Sequence, residues 1–314
     1  MTVLLIDGNS IGHANNASSR LSVGGIETQA IIGSLATMRD LMVKFDATPI
    51  CLWDGRAQWR YDLYPAYKAK RQLDPNKTPK PYEIAAQKAR ESYRVQRPHI
   101  VRGLQLLGVR QVIPQDDEAD DIAGYLAKDF SAKGKAVVLT SRDHDWLQLV
   151  DENVKWHNPV ESELVTHHTF AEYTGYEHPH QFVAEKCLVG DSSDNINGVS
   201  GIGEKCAQAL LAHYGTVEAA LAEIQAVGDQ WTPPNKELSR FKKKLVNFAL
   251  DTDGGIGIYE RNQKLMSLLN VQKPTSLRVV REPLNEEGFQ EFCYEFAFQS
   301  ILRKYDEWIT PFKQ

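Results

Sequence analysis

At 314 residues and 35.4 kDa the chain can bury one large core or two smaller ones, and 42% hydrophobic with 25% charged residues is ordinary folded composition. A formal charge of −5, taken alone, argues against nucleic acid as a partner, and no apolar run is long enough to span a membrane or serve as a secretory signal. Cys51, Cys187, Cys206 and Cys293 lie far apart with no CxxC pair, which argues against a disulfide framework or a zinc site and for buried, reduced thiols in a cytoplasmic protein.

In chain order, "TVLLID" (2–7) reads as a buried strand that ends in an acid, followed by a helical pattern over 28–45. "TPICLWD" (48–54) is a second strand ending in an acid, and a long helical pattern covers 83–107. Then come the short strand "VRQVI" (109–113), a helix over 118–130 and the strand "KAVVLTS" (135–141). Strands alternating with helices predict a parallel sheet in a three-layer α/β domain over residues 1–165. Beyond 178 the texture is helical, broken by the glycine-rich "NGVSGIGEK" (197–205), with one further strand pattern at "LRVVRE" (277–282). This predicts a helical region over 178–270 and a C-terminal segment, 271–314, packing back on the core through one helix at 288–305.

In a parallel sheet, ligands meet the carboxyl ends of the strands. Asp7 and Asp54 end strands, Asp143 and Asp145 follow one, and Glu118, Asp120 and Asp121 open the helix within "QDDEADD" (115–121). One such acid alone is more simply a helix cap or turn. The set is different, because crowded carboxylates cannot all stay ionised without cations, and oxygen donors without His or Cys suit Mg²⁺ or Mn²⁺. Spacing alone leaves open whether Glu118 shares a helix face with Asp121 or precedes the first turn. Asp191 and Asp194 in "GDSSDN" form another i, i+3 pair, either a cap or a second ligand group.

The negative net charge conceals a basic stretch. Between Arg56 and Arg102 there are 12 Lys+Arg against four acids, interleaved with Trp59, Tyr61, Tyr64, Tyr67, Tyr82 and Tyr93. Cations beside stacking rings suit single-stranded nucleic acid; the plain alternative is a solvated basic helix. "QLDPNKTPKP" (72–81) is proline-broken. "GVSGIGEK" (198–205) lets backbone approach a phosphate at a helix N-terminus, and it lacks the P-loop spacing. "RFKKK" (240–244) reads on its own as a solvated face.

"LLIDGNS", "LWDGRAQWR", "YPAYKAKR", "EADD", "TSRDHDWLQLV" and "GDSSDNINGVSGIGEK" occur in the order found in the 5′-nuclease family, the flap endonucleases and 5′–3′ exonucleases. The resemblance runs from residue 2 to about 305. It implies a PIN-like α/β/α core, a helical arch over about 60–100 and a helix–three-turn–helix (helix-hairpin-helix-type) region. It implies two clusters of Mg²⁺ ligands, with Mn²⁺ as a substitute: Asp7, Asp54, Glu118 and Asp120 in the tighter one, and Asp121, Asp143, Asp145, Asp191 and Asp194 in the rest. His144 is not expected to be a ligand. With these nine acids set aside, Lys and Arg outnumber the remaining acids, so the surface would be basic once metal is bound. The resemblance also implies that Lys68 and Arg71 act on the scissile phosphate, that Tyr67 stacks on a base, and that Arg60, Gly198, Gly201, Gly203 and Lys205 contact DNA. K⁺ on the carbonyls of the glycine turn is a further implication.

The implied function is a monomeric, cytoplasmic enzyme of a bacterial or phage-infected cell. It would cut branched or 5′-ended DNA and RNA primer–DNA hybrids, leaving 5′-phosphates, in replication, repair or recombination. A PIN-like ribonuclease shares the acidic sheet edge, but the glycine hairpin and basic arch count against it. A non-catalytic DNA-binding module would not need the complete acid set. A haloacid-type phosphatase needs a DxD nucleophile pattern that "WDG" lacks.

Overall fold

A computed structural model describes residues 2–71 and 78–313, so most of the proline-broken segment from 72 lies outside the described residues. The chain divides into two compact units, one of Met1–Ala57, Leu73–Thr166 and Gln272–Gln314, the other of Gln58–Gln72 and His167–Val271.

The first unit is built on one sheet of strands β1 (Thr2–Asp7), β2 (Ala47–Leu52), β3 (Arg110–Pro114), β4 (Val137–Thr140), β5 (Val154–Asn158), β6 (Glu163–Val165) and β7 (Leu277–Val280). Their order is β7-β3-β2-β1-β4-β5-β6. β1 to β5 are parallel, and β6 and β7 close the edges antiparallel. The helices are α1 (Gly8–Asn16), α2 (Gln29–Phe45), α3 (Pro81–Leu106) and α4 (Ala119–Ala132). Leu4, Ile6, Cys51 and Trp53 join Ile11, Ile31, Leu35 and Leu104 in one core layer. Leu5 and Leu52, buried between them in sequence, face the opposite side by strand alternation. Burial on both faces is why these strands read as continuous apolar runs.

β5 and β6 are short and carry no clear period, so sequence reading passes over them. The C-terminal segment does pack on the core, but not as one helix: it forms Glu286–Glu295, Gln299–Leu302 and Tyr305–Ile309. Phe296 and Phe298 are both buried there with their rings stacked 5.7 Å apart, and residues two apart cannot share a helix face. The chain turns between them, with Ala297 at φ 52.

The second unit holds α5 (Pro179–Val189), α6 (Glu204–Tyr214), α7 (Val217–Val227), α8 (Lys242–Ala249) and α9 (Gly255–Met266). Residues 58–72, expected within the first domain, group here instead. Three contacts account for this: Arg60 Nε donates to the Leu265 carbonyl at 3.1 Å, Arg261 covers the Tyr64 ring at 4.3 Å, and the Lys68 amide donates to the Asp194 carbonyl at 2.8 Å. All four cysteines are free and buried. Among the described residues, no helix is long and apolar enough to cross a membrane.

His157 on β5 is 2% exposed, with its Nε2 2.8 Å from Lys44 Nζ and its Nδ1 without a hydrogen-bond partner. Burial first, and then the Lys44 charge, hold its pKa down at about 4. The unfolded chain therefore takes up a proton between pH 6.5 and 4 that the folded chain refuses, so this contribution to stability fades as pH falls through that window. Between pH 7 and pH 5 the expected loss is about 2 kcal/mol. Denaturant unfolding of His157→Gln should show a correspondingly flatter decline over that interval; an unchanged slope would contradict the assignment.

Candidate active site

Parallel strands deliver their carboxyl ends to one edge of the sheet, and the acids of the first unit collect there. Asp7 ends β1 and caps α1: Oδ1 accepts from the Ser10 amide and Oδ2 from the Ser141 hydroxyl, both at 2.8 Å. Asp54 follows β2, and its Oδ1 accepts from the Ala119 amide at 2.9 Å. The Gly55 and Arg56 amides donate to the Asp117 and Gln115 carbonyls, which joins the loop after β2 to the acidic loop after β3. A Cβ on Gly55 would lie 2.2 Å from the Pro114 carbonyl oxygen, so only glycine permits that approach.

Glu118 is the N-cap of α4, in extended conformation ahead of the first turn, which settles the ambiguity left by spacing. Asp121 turns back to accept from the Glu118 amide at 2.9 Å and is 5% exposed, so its carboxylate serves at least as a cap. Asp120 Oδ1 accepts from the indole Nε1 of fully buried Trp146 at 2.7 Å. Asp143 caps the 3₁₀ turn His144–Leu149 and accepts from the Asp145 amide at 2.8 Å. His144 lies beside Trp156, with ring centroids 5.2 Å apart.

Charge crowding is the electrostatic signature of this edge. Burial, followed by the charges of Asp143, Asp54, Asp7 and Glu118, raises the pKa of Asp120 well above the carboxylate range. Asp7 is raised too, by burial first and then by Asp54, despite the bonds from Ser10 and Ser141. Among the described residues, no three His, Cys, Asp or Glu side chains already converge on a single ion position. That spacing still fits Mg²⁺, which keeps several waters and takes one or two carboxylates. All-oxygen donors under mutual repulsion fit a hard divalent cation better than any neutral ligand.

Asp191 and Asp194 belong to the second unit and meet cations there. Burial alone would raise the Asp191 pKa, but bonds from Ser193, the Lys186 charge 3.8 Å away and the Asp194 amide lower it. Asp194 pairs with Arg71 at 2.6 Å and with Lys68 at 3.8 Å. Tyr67, expected to stack on a base, is 3% exposed, set edge-on to Tyr61, with the Lys68 ammonium 4.7 Å from its ring. Buried in this way, the ring offers no open face for a base. Arg60 is likewise 3% exposed, bonded to the Leu265 carbonyl and stacked on Trp59, which makes it a staple of this unit and not an open DNA contact. Of the other rings expected to stack, Tyr93 is buried and donates to Asn9 at 3.1 Å, whereas Tyr82 and Trp59 are exposed.

The glycine turn separates into three roles. A Cβ on Gly198 would fall 2.1 Å from the Val189 carbonyl oxygen; Gly201 has φ +76; Gly203 is the N-cap of α6. Lys205 is exposed in the first turn of α6. Beside the turn, a cleft of about 270 Å³ is lined by Ser200, Gly201, Lys243, Lys244 and Asn247. The basic run on α8 therefore borders the turn, a long-range contact that the sequence does not show. Ser10, Ser141 and Trp146 also escape notice in the sequence, although they stand inside the quoted motifs.

Residues 2–175 match the family model of the 5′–3′ exonuclease N-terminal resolvase-like domain, and 177–262 that of the 5′–3′ exonuclease C-terminal SAM fold. The chain is 33% identical to a 5′–3′ exonuclease of Aquifex aeolicus (strain VF5), over 98% of this chain and 96% of the relative. It is 31% identical to the thermostable DNA polymerase I of Thermus filiformis over 96% of this chain, and it spans 33% of that polymerase. In fold it is similar to the bacteriophage T5 D15 flap endonuclease, crystallised in a complex with DNA and metal ions, with a TM-score of 0.64, 19% identity and 100% of both chains covered.

Trp146→Phe keeps the buried ring but removes the donor to Asp120. Divalent-ion affinity measured by calorimetry should fall about 10-fold, as for loss of other outer-shell hydrogen bonds. Unchanged affinity would reduce Trp146 to a packing residue.

Proposed function

The chain belongs to the 5′–3′ exonuclease family, and from that premise we propose that it is a structure-specific 5′ nuclease of flaps and 5′ ends. Its substrates would be branched or 5′-ended DNA and RNA primers on DNA, cut in the cytoplasm by a monomer during replication, repair or recombination. The observation that carries this reading is the crowding of Asp7, Asp54, Glu118, Asp120 and Asp143 at the ends of parallel strands.

Asp7, Asp54, Glu118 and Asp120 would hold one divalent ion, directly or through its water shell, and Asp143 with Asp145 would take part in holding a second. Bound Mg²⁺ or Mn²⁺ supplies activation of a water and stabilisation of the leaving oxygen, giving a 5′-phosphate product. The chain's own residues prepare that site. Ser10 and Ser141 fix both oxygens of Asp7, the Ala119 amide fixes Asp54, and Trp146 fixes Asp120. Lys68 and Arg71 supply cations for a substrate phosphate, and the glycine turn with Lys205 and Lys244 supplies a sequence-independent grip on duplex. The carbonyls of the glycine turn would take a K⁺ ion.

The test is cleavage of an end-labelled 5′-flap duplex in Mg²⁺, with EDTA and Asp120→Asn as controls. Cutting near the flap junction is expected in Mg²⁺ alone, with Asp120→Asn slower by at least about 100-fold while still binding the flap. Binding without cutting in both Mg²⁺ and Mn²⁺ would make the protein a DNA-binding module. Cutting confined to single-stranded RNA would make it a ribonuclease.

A further inference from the structure

Lys68 and Arg71 both pair with one carboxylate of the second unit. Arg71 Nη2 lies 2.6 Å from Asp194 Oδ1, and Lys68 Nζ lies 3.8 Å from Oδ2 of the same carboxylate. The backbone reinforces the pairing. The Lys68 amide donates to the Asp194 carbonyl at 2.8 Å, and Asn195 Nδ2 donates to the Ala66 carbonyl at 2.8 Å. Both Lys68 (φ 53) and Asn195 (φ 59) sit in the left-handed region, which lysine seldom adopts unless its surroundings impose it. The side chains of Lys68 and Asp194 are only 13% and 20% exposed, so solvent screens this pair less than a surface pair.

We propose that Asp194 is a latch: its carboxylate holds Lys68 and Arg71 in the place that a substrate phosphate takes, and phosphate binding displaces it. A phosphate oxygen offers the two cations the same bonds as a carboxylate oxygen, so the two ligands exclude each other. Each phosphate that enters must first break the Asp194 pair, which lowers the apparent affinity by the fraction of molecules that are latched. Asp194 thereby acts as a positioning residue, and the latch rests on the reading that Lys68 and Arg71 bind phosphate.

The experiment is equilibrium binding of a 5′-flap duplex in EDTA, where neither cleavage nor metal ligation contributes. Asp194→Asn should bind tighter than the unsubstituted protein by at least about threefold, the scale of a released ion pair. The gain should vanish when Lys68→Ala and Arg71→Ala are combined with it. No gain, or a gain that survives the loss of both cations, overturns the latch, since the second result would reflect general charge alone. Asp194→Ser serves if the asparagine variant does not fold, with thermal unfolding run on every variant. A wrong nuclease assignment would show differently, as absence of Mg²⁺-dependent cleavage by the unsubstituted enzyme, and would leave this binding comparison intact.

Discussion

Carboxylates at the ends of neighbouring parallel strands repel one another, and burial strengthens that repulsion because less water screens it. Asp7, Asp54, Glu118, Asp120 and Asp143 are placed in this position by topology: β3, β2, β1 and β4 lie side by side in parallel register, and each acid ends or follows one of these strands. Burial first, and this repulsion after it, raises the pKa values of Asp7 and Asp120. The surrounding structure fixes the oxygens, through Ser10, Ser141, Ala119 and Trp146. A fold that immobilises repelling anions is prepared for an external positive charge, and the chemistry of a phosphodiester nuclease needs that charge at the same edge.

The second unit handles charge in the opposite way. Its acids Asp191 and Asp194 are neutralised by neighbours, Lys186 in one case and Lys68 with Arg71 in the other. Tyr67 and Arg60, which would be candidates for nucleic-acid contact on an open helix, are packed inside the unit. The exposed cations that remain near the glycine turn, Lys205 with the lysines of α8, suit a grip on backbone phosphates that reads no bases.

How much of this the sequence reveals follows from the range of the interactions. Strand ends and helix starts are local, so Asp7, Asp54, Glu118 and Asp143 could be placed on one edge from the order of elements alone. The position of Glu118 relative to the first turn depends on the Asp121 cap, a single hydrogen bond that spacing cannot decide. The support from Ser141 to Asp7 spans 134 residues, and that from Trp146 to Asp120 joins the 3₁₀ turn His144–Leu149 to the first turn of α4, so neither leaves a periodic trace. Residues 58–72 mislead for the same reason. Their basic and aromatic composition reads as a single-strand-binding stretch or a solvated helix, whereas contacts with Asp194, Arg261 and Leu265, far along the chain, fold them into the second unit.

The central claim, that the acidic edge is a site of stored repulsion relieved by a divalent ion, is tested most directly by calorimetric melting in EDTA and in Mg²⁺. The unsubstituted protein and Asp7→Asn would be compared; asparagine can still accept from the Ser10 amide but carries no charge. Mg²⁺ is expected to raise the Tm of the unsubstituted protein, and Asp7→Asn to melt higher in EDTA and respond less to Mg²⁺. A Tm indifferent to Mg²⁺, together with a lower Tm for Asp7→Asn in EDTA, would show that Asp7 is a structural cap and that the edge does not await a cation.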